Sequence, residues 1–233
     1  MSSPWLYPLM CKRRHWLGAT AFAAASYIAN HSSGAEEEPP PPTTPQEALA
    51  RLHEGNRRFA AGQSLSIHRD LNRVKAIAAK QTPFAAFLGC ADSRVPIEFV
   101  FDQGFGDLFV TRIAGNIASS ENIGSLEFGT QVLGAKVLYV LGHSACGAVA
   151  ATMQGREVPG QISGLFQYIR PAVKAAKGDL DVAVRENVRN QALLLAEASP
   201  VIARMIRQNE LLVAGGVYDL HTGLVNPVEL DLS

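Results

Sequence analysis

The chain has 233 residues, 47% of them hydrophobic and 18% charged, enough to bury one sizeable core. Lys plus Arg and Asp plus Glu number 21 each, and no basic stripe or long block of one sign interrupts that balance. A nucleic-acid-binding surface and a charged interaction tail are therefore not expected.

In chain order, the first feature is a targeting signal. Lys12-Arg13-Arg14-His15 precede an apolar run, Trp16 to Ala25, and Ser33-Gly34-Ala35 offers the small residues of a cleavage site. Residues 1–35 are read as a signal peptide. The run is shorter than the roughly 20 apolar residues of a spanning helix, so no stable membrane span is expected after cleavage. Arg13-Arg14-His15-Trp16-Leu17 also resembles a twin-arginine export signal, and the predicted destination is the periplasm. Residues 36–45, EEEPPPPTTP, cannot build a core and are read as a Pro-rich acidic linker. Residues 46–233 then form the folded domain.

Thr44-Pro45-Gln46-Glu47 announces a helix: a cap, a proline suited to the first turn, and an acid placed to close a capping box. Leu49, Leu52 and Phe59 give it an apolar face. Short apolar runs follow at 84–88, 108–111 and 137–141, each the signature of a buried parallel strand. Ile123, Leu126 and Leu133 lie at roughly helical spacing between the last two. Helices are expected near 162–176, 182–197 and 200–208, the last opened by Ser199-Pro200. Leu211 to Tyr218 reads as a fourth strand, and His221-Thr222-Gly223-Leu224 as the turn into a short returning one. The fold class is α/β, a mainly parallel sheet of four to five strands flanked by helices.

Two of the strands end alike, in Leu88-Gly89-Cys90 and Leu141-Gly142-His143. Sites in open α/β sheets form beyond the carboxyl ends of strands, so neighbouring strands would bring Cys90 and His143 out side by side. Cys146 follows His143 by three residues, one turn on if Ser144 begins a helix. Two thiolates and one imidazole form a borderline-soft tetrahedral set that suits zinc, and three ligands leave one position open for catalysis. Asp92 stands next to ligate the metal or orient what it binds, with Arg94 placed to hold that carboxylate. Gly147 leaves space beside the metal. Cys11 lies in the signal segment, and a disulfide is the default for the two remaining cysteines of an exported chain. It would leave His143, Asp92 and Arg94 without a role.

Cys90-Ala91-Asp92-Ser93-Arg94 and His143-Ser144-Ala145-Cys146-Gly147 resemble the two signature motifs of β-class carbonic anhydrases. Further matches are Glu54-Gly55-Asn56-Arg57-Arg58-Phe59, Gly106-Asp107-Leu108-Phe109-Val110 and Glu186-Asn187-Val188, so that the resemblance runs from about residue 46 to 228. It implies reversible hydration of carbon dioxide to bicarbonate and a proton by zinc-activated hydroxide. Cys90, His143 and Cys146 would be the zinc ligands and Asp92 with Arg94 the catalytic dyad; in a closed form Asp92 is itself a fourth ligand. Gln81 matches the substrate-binding glutamine of the plant-like branch, Phe109 an aromatic pocket wall, and Phe128 a position where many relatives carry Tyr. A homodimer or higher homo-oligomer is implied, with the first helix across the partner and Gln81 serving the neighbouring site. Related hydrolases of carbon disulfide or carbonyl sulfide share these ligands, and a non-catalytic zinc protein would need the ligands alone.

Overall fold

A computed structural model describes residues 40–231. The proposed signal peptide and the start of the linker lie outside them. The first element is α1 (Pro45–Ala60), closed at its start by the expected capping box: Thr44 Oγ1 accepts from Glu47 N at 3.2 Å, and Glu47 Oε2 accepts from Thr44 N at 3.1 Å. There follow α2 (Leu71–Ala76), β1 (Ala85–Gly89), α3 (Ile97–Val100), β2 (Leu108–Arg112), α4 (Ser120–Glu127), β3 (Val137–His143), α5 (Gly147–Gln154), α6 (Ser163–Ala175), α7 (Leu180–Ala198), α8 (Pro200–Arg207), β4 (Leu212–Tyr218) and β5 (Val225–Pro227).

The strands form one sheet in the order β2-β1-β3-β4-β5, parallel except for β5, which returns antiparallel along β4. β1 and β3 are buried along their whole length because helices cover both faces of the sheet. Alternation along a strand decides which face each side chain joins. Leu88, Leu138 and Val140 pack with Val188, Ala192 and Leu195 of α7 and Ile202 of α8. Phe87, Tyr139 and Leu141 point the other way, to Leu52 of α1 and to Val100 and Phe101 at α3. The two layers, one on each face of the sheet, make the apolar core that the composition promised. Glycines let α7 approach the sheet closely: a Cβ on Gly142 or Gly215 would lie 2.6 or 2.7 Å from a Val188 methyl.

Three sequence readings are refined. β3 runs on through Gly142 and His143, because β4 supplies partners for both in Val217 and Tyr218. The helical spacing of Ile123, Leu126 and Leu133 covers α4 and then a π-helical turn, Phe128–Val132, in which Leu133 N donates to Phe128 O at 3.1 Å. Finally α2 and α3 had no sequence signal, each being too short to show a period.

The resemblance motif in α1 proves to be an anchor. The Asn56 amide donates to Val100 O at 3.0 Å and Gly223 O at 2.9 Å, and its oxygen accepts from Val225 N at 2.8 Å. Arg58 Nε donates to the fully buried Asp102 at 2.8 Å. The helix is thereby tied to both the α3 region and the β4–β5 turn.

Candidate metal centre

β1 and β3 are adjacent and parallel, with Gly89 opposite Leu141. Cys90 and His143 therefore emerge at the same edge of the sheet. Between His143 and α5 the chain makes a turn rather than a helix: Ala145 takes φ +53°, and α5 begins only at Gly147 with Cys146 as its N-cap. A left-handed residue is uncommon outside glycine, and here it reverses the chain so that the sulfur of Cys146 faces back. The ligand atoms of Cys90, His143 and Cys146 all lie within 4.8 Å of one another, and all three residues are buried. Both cysteines are free thiols, which sets aside the disulfide.

The electrostatics of this trio call for a cation. Hydrogen bonding from the Cys146 thiol holds the Cys90 sulfur well below its usual pKa, assisted by Gly115 N–H at 3.4 Å. The hydrogen bond to Cys90 and burial push Cys146 up, against a pull from the N–H groups of Ala148 and Val149 in the first turn of α5. The two sulfurs thus share one proton and keep one negative charge, and a divalent ion taking both as thiolates would neutralise it. His143 Nδ1 sits 2.9 Å from Ser144 O, which makes it the protonated nitrogen, while buried Nε2 has no hydrogen-bond partner. A buried, unpaired imidazole lone pair beside two sulfurs is the donor set of a zinc site, and the 4.8 Å limit on their separations accommodates the edges of roughly 3.7 Å around a tetrahedral zinc ion.

Asp92 Oδ2 lies 3.8 Å from His143 Nε2. Arg94 grips this carboxylate in three places, from its backbone N (2.9 Å) and Nε (2.9 Å) to Oδ1 and from Nη2 (2.8 Å) to Oδ2. The Arg94 hydrogen bonds hold the carboxyl well below the usual carboxylate range, and Arg94 is raised in return. A Cβ on Gly147 would meet nothing within 4 Å, so the space beside the cluster is open.

The chain matches the family model for carbonic anhydrase over residues 85–225. Carbonic anhydrase 2 of Mycobacterium tuberculosis is 36% identical over 187 residues, 77% of this chain and 90% of that protein. The chain belongs to the β-carbonic anhydrase family. A solved Coccomyxa β-carbonic anhydrase bound to acetazolamide is 30% identical with a TM-score of 0.59, covering 77% of this chain and 86% of its own. A tetrameric β-carbonic anhydrase of Sordaria macrospora, 21% identical with a TM-score of 0.62 over 77% of this chain and 96% of its own, shares the fold.

Not every residue expected in this carbonic anhydrase's site is gathered there by one chain. Gln81 is exposed in the segment before β1, at the amino end of the sheet, where it lines a surface hollow of about 590 Å³ with Lys80, Thr82, Val132 and Leu133. Phe109 sits in β2 opposite Ala86, about 10 Å along the sheet from the strand end. Phe128 is half exposed, its ring 6.3 Å from that of Phe109. These three residues sit apart from the metal cluster.

Sequence reasoning matched Glu186-Asn187-Val188 to the family but assigned the supports no role. Asn187 Nδ2 donates to Gly115 O at 2.8 Å, and Gln191 accepts from Ala118 N at 2.8 Å, so α7 holds the segment whose Gly115 N–H meets the Cys90 sulfur. Their signal was present as two polar residues four apart on a helix face that is otherwise buried. Arg112, at the end of β2, was missed too. An arginine closing a strand beside the ligand-bearing one was its only mark.

Proposed function

We infer that this chain catalyses the reversible hydration of carbon dioxide to bicarbonate and a proton, using one zinc ion held by Cys90, His143 and Cys146. The observation that carries the reading is the buried, unpartnered Nε2 of His143, which converges with two sulfurs beside the Asp92–Arg94 pair. Zinc bound there supplies the Lewis acidity that makes a water nucleophilic near neutral pH. Asp92, kept ionised by Arg94, accepts a hydrogen bond from the attacking oxygen and so turns a lone pair toward the carbon. Arg94 holds both carboxylate oxygens and so fixes the orientation of Asp92 within its loop. Ile117 and Val149 pack with the two cysteines, and this apolar surround excludes water and admits a non-polar gas.

The pocket reading extends to a homodimer in which Gln81, Phe109 and Phe128 wall the site of the neighbouring chain. Its support is their separation from the chain's own cluster, together with the large exposed apolar residues Phe99, Phe105, Phe128 and Val132. Equilibrium sedimentation tests the assembly, and a monomer with full activity would refute this arrangement. Residues 1–35 are the proposed signal for export to the periplasm. No helix among the described residues is long and apolar enough to cross a membrane. Replacing Arg13 and Arg14 with Lys should retain the protein in the cytoplasm if the twin-arginine reading holds.

The main experiment pairs elemental analysis with stopped-flow carbon dioxide hydration. One zinc per chain and rapid hydration above neutral pH is the expected result. A zinc-loaded protein that is inert toward carbon dioxide at every pH would overturn the reading.

A further inference from the structure

The loop that carries Cys90, Asp92 and Arg94 leaves β1 just where the sheet stops supporting it. The β1–β2 ladder ends with Gly89 opposite Arg112, and its last backbone bond runs from Ile113 N to Gly89 O at 3.0 Å. Beyond that point the Arg112 side chain takes over: Nε donates to Cys90 O at 2.9 Å and Nη2 to Asp92 O at 2.5 Å. One planar guanidinium therefore replaces the next rungs of the ladder and spans the carbonyls of a metal ligand and of the dyad carboxylate.

Arg94 cannot do this work. It lies in the same loop as Asp92, so a movement of the loop carries the pair together, however tightly it is joined. The other bond to Asp92 O, from Val95 N at 3.1 Å, is also internal to the loop. Arg112 anchors it from a different strand. Little movement is needed to disturb the site. Asp92 Oδ2 is 3.8 Å from His143 Nε2, while an oxygen and a nitrogen on one zinc ion stand about 3.3 Å apart.

We propose that Arg112 is a positioning residue for the hydration reaction, holding the Cys90–Asp92 backbone so that Asp92 orients the nucleophile instead of becoming a metal ligand. This rests on the carbonic anhydrase reading and adds to it a residue that touches neither metal nor substrate.

The test uses Arg112→Ala and Arg112→Lys in the full chain, loaded with zinc for turnover and with cobalt for spectroscopy. Arg112→Ala should keep its metal and lose turnover by about 10- to 100-fold. Its cobalt bands should shift as a carboxylate enters the ligand set, and added guanidinium ion should reverse part of both effects, since the side chain it replaces is exposed. Arg112→Lys keeps the charge but has a single nitrogen that cannot span both carbonyls. It should show an intermediate loss that guanidinium does not repair, and it decides the matter if the alanine variant fails to fold. Parent-like spectra and turnover, or metal loss in proportion to lost turnover, would overturn the proposal. The spectra judge Arg112 independently of activity, whereas an inert zinc-loaded parent would count against the hydration reading itself.

Discussion

Asn187→Ala is expected to weaken the fold and the metal centre together. Asn187 is 1% exposed, its amide nitrogen donates to Gly115 O at 2.8 Å, and its oxygen accepts from Gln191 Nε2 at 3.2 Å. Gln191 retains a second acceptor in Tyr168 O, so the group stranded by the substitution is the Gly115 carbonyl. An unpaired buried carbonyl costs about 1–3 kcal/mol, and the lost side-chain volume adds about 1 kcal/mol. The sum of about 2–4 kcal/mol lies below the roughly 5–15 kcal/mol of a typical domain, so the variant should fold. With a slope near 2 kcal/mol per molar urea, its midpoint should fall by about 1–2 M. Gly115 N donates to the Cys90 sulfur, so slackening that segment should also lower zinc affinity by about tenfold or more. Urea unfolding of the metal-free protein and competition with a zinc chelator measure the two effects separately. A midpoint that moves while zinc affinity stays constant would refute the coupling between α7 and Cys90, and a constant midpoint would refute the energetic argument.

Cys146→Ser should abolish stoichiometric zinc and hydration together, because the weakly acidic hydroxyl is a poor replacement for a thiolate; elemental analysis after dialysis reads the loss. Asp92→Asn should keep one zinc per chain and cut turnover by about 100-fold or more, since the amide loses the charge that orients the attacking oxygen. Stopped-flow rates equal to the parent's would remove Asp92 from the mechanism. Asp102 sets the response to acid. Burial alone would raise its pKa, but hydrogen bonds from Arg58 and from the backbone of Leu65 and Ser66 outweigh it, and the net shift is downward. A lowered folded pKa gives stability that is present above the ordinary carboxylate pKa of about 4 and is lost as pH falls through the folded value. Urea midpoints at pH 7 and near pH 3 should therefore drop further in the parent than in Asp102→Asn, and equal drops would show that the network does not govern acid stability.

Much of this protein was legible because its signals are local. An apolar run such as Val137 to Leu141 specifies a buried strand wherever it is placed, and Thr44-Pro45-Gln46-Glu47 carries its own helix start. The ligand set was legible because Gly-Cys and Gly-His close two such strands, and parallel neighbours must deliver their ends to one edge. Other features depend on which strand lies beside which. Arg112 acquires its partners only through the pairing of β1 with β2, and Asn187 reaches Gly115 only because Gly142 and Gly215 let α7 settle onto the sheet. The reversal at Ala145 depends on a backbone conformation that its side chain does not favour, stabilised by what surrounds it. Likewise Gln81 and Phe128 match site positions of the family in the sequence, but only the sheet shows that Gln81 lies at its opposite end and Phe128 beside Phe109, apart from the chain's own metal cluster. The sequence by itself determined the elements and the chemistry of the ligands, since both follow from residue type and spacing. The tertiary structure decided which side chains hold those ligands in place, since hydrogen bonds between distant segments exist only once the strands have chosen their neighbours.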